Sequence, residues 1–214
     1  MIDDSSEARM ILERAVQGDR SGLSALLAGH RQRLRRMVAL RMDRRLQGRI
    51  DASDVIQEAY LEAWTRLAEY LRAPTMPFFL WLRFLAAQRL VTLHRKHLGA
   101  QMRDPAVEIS LHEGGMPEAS SEALAAQLLG EDTRPSEAAV RAERKVRVQE
   151  ALNRMDPLDR EVLVLRHFEQ LSRAEIAHLL QVREATVSKR YIRALKRLKD
   201  LLRSLPGGSA EFRG

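Results

Sequence analysis

The sequence predicts an all-α protein of two small helical domains joined by a flexible linker. Three observations carry that expectation. Leu, Ala and Arg recur at three- and four-residue spacings almost throughout the 214 residues, and no alternating β-branched run is long enough for a sheet. One segment, "GAQMRDPAVEISLHEGGMPEASSEALAAQLLGEDTR", breaks the rhythm with Gly, Pro, Ser and acid, and a single compact domain rarely holds so long an irregular stretch. After it, capping and turn residues return at the spacing of two short helices and a tight turn.

The elements follow in order. A first helix is expected over about Ser6 to Ala15. Leu23, Leu26, Leu27, Leu34, Met37, Val38 and Leu40 then trace the apolar face of a second, which continues toward Leu46. Asp51 starts a third in "DASDVIQEAYLEAW", where Ile56, Tyr60, Ala63 and Leu67 should pack inward. The prolines of "APTMP", 73–77, end it, and "FFLWLRFLAAQRLVTLHRKHL", Phe78 to Leu98, resumes helix. These boundaries give a domain over 1–98, an acidic linker over 99–139 with a short helix at Ser120 to Leu129, a second domain over 140–205 and a disordered tail over 206–214.

In the second domain Asp156 caps a helix that has Pro157 at its first position. Ser172 caps the next, and Glu175 completes a capping box. A short turn with Val182 as an apolar plug leads into a last, basic helix. This is a helix-turn-helix, whose second helix enters the major groove. Val187, Tyr191, Ala194 or Leu195, and Leu198 should pack inward. Arg183, Glu184, Thr186, Ser188, Lys189, Arg190 and Arg193 are left to read bases, with Lys196 and Arg197 better placed for phosphate. Gln181 stands in the turn where Gly often relaxes the backbone.

Composition narrows the chemistry. Lys+Arg 36 against Asp+Glu 29, a formal charge of +7, favours polyanionic partners. With no Cys, disulfides, thiolate catalysis and Cys-ligated metals are excluded. The start "MIDDSSEARM" is polar and acidic, and every apolar run is broken by charge before the roughly 18 residues a span requires, so no membrane insertion and a cytoplasmic location are expected.

Within this basic chain the third helix is acidic. Asp54, Glu58 and Glu62 are spaced four apart and form one outward stripe, with Asp51 at the N-terminus and Gln57 and Leu61 alongside. No His lies among these carboxylates, and His94 and His97 sit beside Arg95 and Lys96, which repel cations. Neither an enzyme nor a cofactor site is expected. A docking surface for a basic partner fits the stripe, and ion pairing to the arginines of "RQRLRRMVALRMDRRLQGR" is the internal alternative. The fourth helix has no acid and interleaves Arg83, Arg89, Arg95 and Lys96 with Phe78, Phe79, Trp81 and Phe84, a composition suited to separated DNA strands. Core packing is the competing role for Trp81 and Phe84.

These residues resemble the RNA polymerase sigma factors of the extracytoplasmic-function (ECF) type over about residues 10 to 98 and 140 to 203. Asp51, Asp54, Gln57, Glu58 and Trp64 match the signature of the family's polymerase-binding helix. The resemblance implies a region 2 domain followed by a region 4 helix-turn-helix. It implies that Asp51, Asp54, Gln57, Glu58, Leu61 and Glu62 dock on the clamp coiled coil of core RNA polymerase. Trp81, Arg83, Gln88, Arg89, Arg95 and Lys96 would then serve the melted non-template strand of the −10 element. Arg183, Glu184, Thr186, Ser188, Lys189, Arg190, Arg193, Lys196 and Arg197 would serve the duplex −35 element. The loop from about Glu69 to Met76 would capture a flipped base, and an anti-sigma protein is a further partner the family implies. Gln88, Thr92 and Gln181 depart from the family's usual Asn, Asp and Gly. The competing function is a stand-alone helix-turn-helix regulator with an N-terminal dimerisation or sensing domain.

Overall fold

The structure, a computed structural model, describes residues 6–19, 21–46, 48–98, 116–129 and 138–204. The expected tail, 206–214, and the linker residues 99–115 and 130–137 lie outside the described residues. The described part is helical, and the chain forms two compact units, Met1–Glu118 and Ala119–Gly214.

The first unit contains α1 (Ser6–Val16), α2 (Leu23–Arg41), α3 (Ala52–Arg72) and α4 (Phe78–Leu98). α1 packs on α2 and α3, and α2, α3 and α4 pack on one another. Leu26, Leu34 and Val38 of α2 meet Val55, Ile56, Ala59 and Ala63 of α3 and Leu82, Leu85 and Leu90 of α4 in a closed core. The first turns of α4 have no exposed side. Phe78 through Arg83 are buried without interruption, as expected of a helix that is apolar nearly all round and is enclosed by its neighbours. Asp51 caps α3, its carboxylate accepting from the Ser53 N–H at 2.6 Å, while Asp54 Oδ2 accepts from the Asp51 N–H at 3.2 Å. Tyr60 donates its hydroxyl to the Leu27 carbonyl at 2.6 Å, which ties α3 to α2. Near the end of the unit, the buried Arg41 donates to the carbonyl of Pro117 at 3.0 Å, with Met116 buried beside it in sequence.

The second unit contains α5 (Ser121–Leu129), α6 (Ala138–Asn153), α7 (Pro157–Leu163), α8 (Arg173–Leu179) and α9 (Glu184–Ser204). α5, the short helix placed in the linker by the sequence, packs on α6. Leu124 and Ala125 are buried, and Lys145 pairs with Glu122 at 2.8 Å. This unit therefore begins at Ala119 rather than near residue 140, because the expected linker helix carries an apolar face that α6 covers. The Asp156 carboxylate caps α7 by accepting from the N–H groups of Leu158 and Asp159. α7 does not run on as one regular helix: Val164–Phe168 form a π turn, in which the Glu169 N–H reaches back to the Val164 carbonyl at 3.0 Å.

α8 starts with the Ser172–Glu175 capping box and ends in a Schellman motif, in which Gln181 N–H donates to His178 O at 3.3 Å and Val182 N–H to Ala177 O at 3.0 Å. The left-handed residue of the motif is Gln181, with φ +53°. At the end of α1 the same motif has Gly18 in that position, with φ +100°.

Candidate functional site

The acidic helix divides its carboxylates between structure and surface. Asp51 and Asp54 are exposed but committed to the helix start. The Ser53 backbone N–H holds the Asp51 carboxyl below its usual range, with Arg35 and Arg31 contributing at longer reach. Glu58 is half-buried and pairs with Arg89 Nε of α4 at 3.0 Å, and Glu62 pairs with Arg66 one turn along at 3.1 Å. Both ion-pair partners lie outside the α2 arginines named as the internal alternative. Gln57 and Leu61, one turn apart, are fully presented, Leu61 at 64% exposure, with Trp64 at 36% beside them. The outward face of α3 is therefore an exposed amide and an exposed aliphatic group rimmed by carboxylates.

α4 separates its expected DNA contacts into two groups. Trp81 is 7% exposed and stacks on Tyr70, with ring centroids 4.5 Å apart, and Arg83 is 3% exposed. Neither side chain offers a face to a nucleic acid in this conformation, which departs from the strand contact expected of Arg83 and, for Trp81, matches the core packing kept as its alternative. The reason is the apolar surround of α4, which draws Trp81 into the aromatic cluster of Tyr70 and Phe78. Arg89 is half-exposed and turned toward Glu58. Gln88, Arg95 and Lys96 are exposed, and so is Thr92, whose hydroxyl donates to the Gln88 carbonyl at 2.9 Å. Positions 88, 92, 95 and 96 follow helical spacing, so this is one polar and basic stripe, which includes two of the departures from the family pattern. The loop between α3 and α4 is held by Tyr70, whose hydroxyl donates to the Met76 carbonyl at 2.9 Å. Thr75, Pro74 and Ala73 remain exposed at its tip.

Arg183 just before α9 and Glu184, Lys189, Lys196 and Arg197 on it are exposed, and Thr186 and Ser188 are half-buried. Ala194 is the buried residue of the pair left open by the sequence, and Leu195 is 41% exposed. Arg183 and Thr186 line a shallow depression with Ala177, His178, Gln181 and Val182 at the turn. His178 is exposed on the last turn of α8 and was not among the expected contacts; its place at the mouth of the depression depends on the turn geometry, which spacing alone does not give. Two expected base readers are also tied to the protein, with Arg193 still 60% exposed and Arg190 28%. Arg190 and Arg193 both bond Asp159 of α7 at 2.6–3.1 Å. Asp159 is buried, and the Arg193 guanidinium, followed by Arg190, holds its carboxyl below the usual range.

A capped helix-turn-helix with a basic second helix, preceded by a helical unit that presents an exposed face rimmed by carboxylates and a basic stripe, defines a DNA-reading transcription protein of two units. Residues 145–198 match the sequence family described as Sigma-70, region 4. The chain is 30% identical over 190 residues to the ECF RNA polymerase sigma factor SigD of Mycobacterium tuberculosis, covering 89% of this chain and 81% of that protein. It is 24% identical over 198 residues to the RNA polymerase sigma-H factor of Pseudomonas aeruginosa, covering 92% and 94%. The solved structure of CnrH in complex with the cytosolic domain of CnrY shares the fold, with a TM-score of 0.51 at 22% identity over 91% of this chain and 96% of that one. The chain belongs to the ECF RNA polymerase sigma factors. Its function is to direct RNA polymerase to promoters for initiation, and it is not an enzyme. Among the described residues no helix is long and apolar enough to cross a membrane.

Proposed function

We propose that α3 is the docking element for core RNA polymerase, α4 the element that holds the melted −10 strand, and α8–α9 the reader of the duplex −35 element. The observation that carries this is the face of α3, where Gln57 and Leu61 are exposed between carboxylates on an otherwise basic protein. Such a face suits a basic, partly apolar partner helix, since charge steers the encounter and Leu61 supplies area to bury. On α4 the stripe of Gln88, Arg95 and Lys96 supports strand holding, with cations for phosphate and an amide for a base edge. Residues 1–118 then act as region 2, and 119–204 carry region 4. The site of action is the cytoplasm, where core polymerase works. Because CnrH is solved with the cytosolic domain of CnrY bound, a regulatory protein that covers these surfaces is a further partner.

The test is in-vitro transcription with core polymerase, comparing wild type with the Gln57→Arg, Leu61→Arg double variant. Both positions are exposed and lie outside the cap and the ion pairs, so folding is spared, unlike a change at Asp54. The double variant is expected to lose at least about tenfold in stimulated initiation, because burying two new cations against a basic partner costs more than ~1.4 kcal/mol. Stimulation equal to wild type would remove the docking role from this face.

A further inference from the structure

Nine positions on and before α9 carry the expected −35 contacts, and two of them, Arg190 and Arg193, are tied to the protein by their guanidinium groups while 28% and 60% of their side chains stay exposed. Arg190 Nη1 donates to Asp159 Oδ1 at 3.1 Å; Arg193 Nη2 donates to the same oxygen at 2.6 Å, and Arg193 Nε donates to Oδ2 at 2.7 Å. The Asp159 side chain is only 7% exposed, so this two-arginine clamp closes over a buried carboxylate rather than a solvated one. Its own position is fixed, since Asp159 lies in the first turn of α7 and its N–H is held by the Asp156 cap at 3.1 Å.

We infer that Asp159 is a positioning residue for −35 reading: by holding Arg190 and Arg193 it sets the rotation of α9 about its axis, and so the aim of Arg183, Glu184, Thr186 and Lys189. This rests on the proposed role of α9 as the −35 reader. Val187, Ala194 and Leu198 bury the inner side of α9, but apolar contacts are non-directional and allow a helix to roll. Arg190 and Arg193 lie nearly one turn apart and bond the same carboxylate, so rolling α9 either way breaks at least one charge-assisted hydrogen bond. A roll of about 20° moves a side-chain tip by roughly 2 Å at the radius of a helix. Hydrogen bonds to base edges tolerate only about 0.5 Å, so the roll abolishes reading while leaving phosphate attraction intact. Arg190 and Arg193 are thus the two cations of α9 that bond Asp159, with Arg193 still reaching solvent.

The opposite role for the clamp is that Asp159 merely restrains two arginines that bind phosphate. One experiment separates the two. Holoenzyme assembled from core polymerase and the full chain is assayed on a promoter fragment that the wild type uses, with the −35 element intact or scrambled, across a salt series. The readout is the ratio of initiation on the two templates. Asp159→Asn keeps the side-chain volume and removes the charge. It is expected to lower the ratio by at least about tenfold, the equivalent of one or more lost base contacts, with the loss confined to the intact template and the salt slope unchanged. Asp159→Glu keeps the charge one methylene further out and should lose part of the ratio. An unchanged ratio in Asp159→Asn overturns the inference. A ratio or affinity that rises together with a log–log salt slope steeper by about two overturns it in favour of restrained phosphate ligands. Circular dichroism checks folding, and if Asp159→Asn does not fold, full discrimination by Asp159→Glu overturns the inference instead. A wild type that does not distinguish the templates defeats the −35 reading itself, whereas a wild type that distinguishes them with an equally discriminating Asp159→Asn defeats only the positioning role.

Discussion

At Gln181 the backbone adopts a conformation that side chains with a Cβ resist, and the chain compensates locally. Gln181 Nε2 donates to the His178 carbonyl at 2.8 Å, on top of the Schellman bonds that close α8. One exposed hydrogen bond returns less than the left-handed conformation costs. Gln181→Gly, which matches the residue at Gly18, is therefore expected to stabilise the α8–α9 region by ~0.5–1 kcal/mol, read as slower native-state hydrogen exchange of its amides. His94 makes a different argument. It is 2% exposed on α4, its Nε2 accepts from the Asp43 N–H at 3.2 Å, and its buried Nδ1 has no hydrogen-bond partner. Burial holds its pKa below the usual value of 6.5, against a smaller pull upward from Asp43. The unfolded chain therefore takes up the proton first, and the stability contributed by neutral His94 is complete above about pH 6.5 and is lost as the pH falls toward the folded pKa. Asp43 stays ionised in that window, since Arg45 holds it at about 2. The urea midpoint of the first unit should fall between about pH 7.5 and about pH 5.5, and His94→Gln, which keeps the acceptor, should flatten that fall.

At the scale of elements, the second unit's helix starts were legible because caps are local. Asp156, Ser172 and Glu175 act within three residues of their partners, so spacing alone identifies them. Ser172→Ala is expected to cost ~1 kcal/mol in the same hydrogen-exchange measurement, with protection lost first in α8. What sequence could not give is which faces meet. Asp159 finds Arg190 and Arg193 across 31 and 34 residues, and Glu58 finds Arg89 across two helices, pairings that no periodicity encodes. The burial of Trp81 and Arg83, one left open and the other not foreseen, has the same origin. Aromatic residues interleaved with arginine fit a strand-binding surface and a fully enclosed helix equally well, and only the packing of α2 and α3 around α4 selects the second for Phe78 to Arg83. The stripe of Gln88, Arg95 and Lys96 is exposed because from Gln88 onward one face of α4 is turned to solvent while Leu90 and His94 stay buried on the other. The π turn at Val164–Phe168 also escaped prediction, since "LDREVLVLRHF" carries no Pro or Gly to mark a change of winding.

At the scale of the whole molecule, the division into two units has a spectroscopic signature. Both tryptophans of the chain, Trp64 and Trp81, belong to the first unit, so tryptophan emission reports that unit alone and is the probe for the His94 experiment. The irregular composition of 99–134 correctly announced a division, but composition averages over a stretch and does not show where the fold resumes. The contact between Arg41 and Pro117 bears on how the gene is divided. A fragment stopped at residue 98, the end of the helical text, takes the Pro117 carbonyl away from a buried guanidinium. One begun at residue 140 strips α5 from α6 along with the Lys145–Glu122 pair. A cut between Glu118 and Ala119 keeps both contacts, and that is where recombinant halves of this sigma factor should begin and end.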